Sequence, residues 1–173
     1  MPIADFLGLS RKKTAASSAE TETVRKIVAA LDSMDADQAK YVAAFAFILC
    51  RVARADLDVS QHEQEAMEEI VTKLGGLPEE QAVLVVQMAK TQNMLFGGTE
   101  NFLVTREFNK LATREQKLSL LECLFAVSSS DESISQTEDN EISRICSELQ
   151  LPHEDRIAAR TRFREHLAVL KLR

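Results

Sequence analysis

Two stretches of this chain are dense in carboxylates and hold no basic residue. Between Ala55 and Thr72 stand Asp56, Asp58, Glu63, Glu65, Glu68 and Glu69. Between Leu118 and Ser143 stand Glu122, Asp131, Glu132, Glu138, Asp139 and Glu141. Like charges at this density repel one another unless something offsets them. Carboxylate and carbonyl oxygens suit a hard divalent cation, Ca²⁺, Mg²⁺ or Mn²⁺. The candidate ligands are Asp56, Asp58, Glu63, Asp131 and Glu138. Glu63 lies four residues before Met67, and Glu138 four before Ile142, so each continues an apolar helical stripe by one turn. A carboxylate on the inward side needs a partner. That partner is a cap N–H, an arginine such as Arg51 or Arg54, or a cation shared with Asp56 or Asp58.

The same residues also read as plain helix starts. Ser60-x-x-Glu63 and Ser135-x-x-Glu138 are both capping boxes. A Ser cap is worth about 1 kcal/mol, and acidic first turns gain roughly 0.3–1 kcal/mol more from the helix dipole. On the residues alone, cation site and helix cap both stand.

Other chemistries fit less well. With Asp56 as the first position of an EF-hand loop, Gln61 falls where that loop needs Gly, and Met67 where it needs Glu. The second stretch fails in the same way, with Gln136 and Ile142. His62, His153 and His166 show no HxxxH or HExxH spacing. Cys50, Cys123 and Cys146 sit inside apolar helical patterns without a CxxC, as buried, reduced thiols do. Gly75-Gly76 and Gly97-Gly98 stand at helix ends and form no phosphate-cradling loop. No Ser or Cys shows a local signature of activation. The expectation is a protein that is not an enzyme.

The elements that must position these acids are helical throughout. Five Gly, three Pro and one Tyr among 173 residues leave few turn or strand formers. The periodicity predicts helices over about 22–32, 37–55, 60–75, 78–97, 100–111, 114–129, 136–149 and 153–170. Tyr41–Cys50 contains no charged residue, so the second helix is apolar all round and belongs at the centre of a bundle. Pro78 and Pro152 open helices, and Gly75-Gly76 closes one. Thr113 with Gln116 forms a further capping box. Residues 10–22, SRKKTAASSAETE, read as a linker. Ahead of it, the short apolar piece within residues 1–13 suits docking on the core or peripheral contact with a membrane surface. Its Arg-Lys cluster follows the apolar stretch, an order unlike a secretory signal. No run of 18 apolar residues exists, so no transmembrane segment is expected.

The chain also matches itself at a shift of 75. Asp56-Leu57-Asp58-Val59-Ser60-Gln61-His62-Glu63 falls on Asp131-Glu132-Ser133-Ile134-Ser135-Gln136-Thr137-Glu138. Met67, Ile70, Val71 and Leu74 fall on Ile142, Ile145, Cys146 and Leu149. One residue fewer then brings Leu77-Pro78 onto Leu151-Pro152. The expected fold is an all-α compact bundle of about seven or eight helices, built from two pseudo-twofold helical repeats. The first repeat covers about 37–96 and the second about 113–170, within a domain over 23–173 that follows the segment 1–22.

The pattern Ala55-Asp56-x-x-Val59-Ser60-x-x-Glu63, repeated as Ser130-Asp131-x-x-Ile134-Ser135-x-x-Glu138, resembles the TerB-like tellurite-resistance family. That family is related to the N-terminal domain of a DnaJ-like membrane co-chaperone. The resemblance covers about residues 36–168. It implies a helical, pseudo-symmetric bundle in the bacterial cytoplasm, sometimes at the inner membrane, with a role in tellurite and other chemical stress. It also implies metal binding by paired acids, here Asp56, Glu63, Asp131 and Glu138. The chain departs from the family where Gly usually follows each Asp, since Leu57 and Glu132 stand there. Any φ > 0 turn at that point must differ.

The charge balance agrees with an acidic function in mid-chain. Residues 25–151 carry 12 basic and 21 acidic groups, net −9, whereas residues 152–173 carry six and three, net +3. The whole chain is net −6, which argues against nucleic acid as a partner. A protein partner is expected. The two functional readings are a cation-binding stress-response scaffold and a metal-free interaction module whose acidic loops are caps or a docking face.

Overall fold

The computed structural model describes residues 18–53, 61–90, 101–129 and 136–162. Eight helices account for nearly all of them: α1 Ser18–Asp32, α2 Ala36–Ala53, α3 Gln61–Lys73, α4 Glu79–Lys90, α5 Asn101–Leu111, α6 Arg114–Ser129, α7 Gln136–Glu148 and α8 His153–Arg162. There is no strand among the described residues. The chain is an all-α bundle, as its periodicity predicts. The extension of the fourth helix to residue 97 and of the last to 170 lies outside the described residues. So does most of the segment 1–22, except that α1 begins at Ser18 and takes residues 18–22 out of the expected linker.

Burial follows from the charge-free stretch of α2. Every residue from Tyr41 to Cys50 is buried, so no face of this part of the helix meets water. The helix touches α1, α4, α5, α6 and α7. The Tyr41 ring stacks on Phe108 of α5 with centroids 5.2 Å apart, and Phe45 tilts against the same ring at 6.4 Å. The second central helix is α6, which buries Leu120, Leu121 and all of Cys123–Ser128. No helix among the described residues is long and apolar enough to cross a membrane.

Local chemistry sets the ends. Asp35 Oδ2 accepts from Asp37 N at 3.2 Å and caps α2. The box before α6 is reciprocal: Gln116 N donates to Thr113 Oγ1 at 3.2 Å, and Thr113 N donates to Gln116 Oε1 at 2.8 Å. After α7, Gln150 takes φ +58°. Its N–H donates to Ser147 O, and Leu151 N donates to Cys146 O at 3.0 Å, which is a Schellman stop. After α3 the left-handed residue is Gly76, at φ +69°. A side chain on the preceding Gly75 would run into the Val71 carbonyl and lie 3.0 Å from Phe45 and 3.1 Å from Cys123. A bare backbone there lets the end of α3 sit against both central helices.

α3 and α7 each run 13 residues and begin 75 apart, at Gln61 and Gln136. Their burial is unequal. Ile142, Ile145, Cys146 and Leu149 are all buried, whereas of Met67, Ile70, Val71 and Leu74 only Val71 is. Packing gives the reason: α7 lies against α2, α5, α6 and α8, and α3 chiefly against α4 and α6.

Candidate functional site

The acidic segments precede α3 and α7. Asp56, Asp58 and Asp131 lie outside the described residues, as do the cap residues Ser60 and Ser135 and the arginine Arg54. Glu63 falls in the first turn of α3, and its side chain lies outside the described set as well. Glu138, the third residue of α7, is half-buried. Among the described residues no group of three His, Cys, Asp or Glu side chains is placed to hold a metal ion. These residues alone therefore do not compose the expected cation site. His62 and His166 lie outside the description, and His153 is exposed beside Arg156 Nη2 at 3.4 Å.

What the structure does build is a set of arginine clamps on α7. Asp139, one residue past Glu138, is the deepest acid of the helix, at 9% exposure. Arg160 of α8 reaches it with Nη2 at 3.1 Å from Oδ2 and Nε at 3.3 Å from Oδ1. Asp139 stands three residues before Ile142, so it too continues the buried stripe. Arg51, near the end of α2, has a side chain only 7% exposed. Its Nη2 lies 2.7 Å from Glu141 Oε1, and its Nη1 lies 2.6 Å from Glu148 Oε2. The acids it meets are Glu141 and Glu148. Arg144 stands further out, 3.7 Å from Glu141 Oε2.

A second group of charges fixes α8. Arg114, at the start of α6, has Nη2 2.8 Å from Asp155 Oδ1 and Nη1 2.7 Å from Oδ2. Arg162 pairs with Glu122 of α6. Lys117 Nζ donates to the Leu149 carbonyl at 3.4 Å, next to the stop of α7.

Cys123 Sγ donates to the Ile70 carbonyl at 3.7 Å. Cys50, Cys123 and Cys146 are free and buried. Burial pushes the Cys50 and Cys123 thiols up to about 12, and Cys146 to about 11, so all three stay protonated at neutral pH. Protonated, enclosed thiols are poor nucleophiles.

The family model for tellurite resistance protein TerB matches residues 42–161, well over half of the chain. The match runs from inside α2 to the last turn of α8 and takes in both acidic segments. No curated protein and no solved structure matches the chain.

Proposed function

The chain belongs to the TerB tellurite-resistance family, and from that premise we propose that it is a non-enzymatic stress-response scaffold that binds a divalent cation through its paired acidic segments. The ligand set is Asp56, Asp58, Glu63, Asp131 and Glu138, and the ion is Ca²⁺, Mg²⁺ or Mn²⁺. What supports the reading is the family match over residues 42–161, which takes in both acidic segments. Arg51 and Arg160 are spent on Glu141, Glu148 and Asp139, which are thereby part of the fold. The proposal extends to a bacterial cytoplasmic setting, a protein partner, and peripheral contact with the inner membrane through residues 1–13.

One observation favours a second reading, a metal-free interaction module. Three carboxylates of α7, Asp139, Glu141 and Glu148, are already matched by arginines, so these acids do not need an ion to offset them. On that reading the remaining acids cap the helices or face a basic partner.

Melting the protein during titration with Ca²⁺, Mg²⁺, Mn²⁺ and Zn²⁺ separates the two. If an ion binds only the folded form, free ion at 100 times Kd adds about 2.7 kcal/mol of stability. Glu63→Gln and Glu138→Gln should abolish that gain and leave the metal-free melt unchanged, because Gln also serves at the cap position. No shift with any of the four ions sinks the cation reading and leaves the module, whose binding to a basic protein should weaken steeply with salt.

A further inference from the structure

We draw no further inference here: the strongest candidate, the half-buried apolar face of α3 at Met67, Ile70 and Leu74, carries nothing, because nothing among the described residues shows what covers it.

Discussion

Deleting the Arg51 guanidinium would leave two partly buried glutamates facing each other across an empty slot. Breaking a buried ion pair from one side costs roughly 3–5 kcal/mol, and Glu141 and Glu148 are 21% and 27% exposed, which screens part of that. Arg51→Met is therefore expected to lose about 3 kcal/mol in urea denaturation at pH 7. Adding Glu141→Gln and Glu148→Gln to the same protein should recover most of the loss, because the uncompensated charges go with it. A loss below about 0.5 kcal/mol for Arg51→Met would mean that water, not the arginine, satisfies these acids. The sequence offers Arg51 as a partner for Glu63 or Glu138. Glu141 and Glu148, the acids it meets, are not legible there, because they lie 90 and 97 residues further along the chain. Glu138 was singled out by its i−4 relation to Ile142, but Asp139, at i−3, is the deeper side chain. Both spacings continue one helical stripe, and the position of α8, with Arg160 over that side, decides between them.

At the scale of the element, ends were easier to read than extents. The Thr113–Gln116 box needs four residues in a row, and all the information is local. The stop after α7 was harder. Its left-handed residue is Gln150, while the corresponding place after α3 holds Gly76. A non-glycine residue in that region carries strain of roughly 1–2 kcal/mol, part of which glycine returns through its freer unfolded chain. Gln150→Gly should accordingly stabilise the protein by about 0.5–1 kcal/mol, seen as a rise in Tm of a few degrees. A fall in Tm would show that the Gln150 side chain holds something that its exposed position does not reveal. The start of α1 was placed too late because Ser18–Thr21 looks like linker composition. Packing of Ile27 and Leu31 against the core stabilises the later turns, and the helix extends back from them over Ala19 and Glu20, which are sound helix formers.

At the scale of the whole molecule, the self-match at 75 residues carries the lengths of α3 and α7 but not their burial. A near-twofold relation between the halves remains our reading of that match. Pattern alone fixes which side of a helix turns inward. How much covers that side depends on elements outside the same repeat, here α2 and α5 against α7. The difference has an energetic consequence at matched positions. Ile145 is fully buried and Ile70 only half-buried. Deleting a buried isoleucine to alanine costs about 2–5 kcal/mol, rising with the cavity left behind, and a side chain open on one side lets water or its neighbours close part of the gap. Ile145→Ala should therefore cost about 3–4 kcal/mol and Ile70→Ala about 1–2 kcal/mol, measured by urea denaturation under the same conditions. The slope m should be unchanged in both, because the surface exposed on unfolding hardly differs. Equal losses at the two positions would mean that the halves are energetically alike and that the extra cover over α7 contributes nothing to its core.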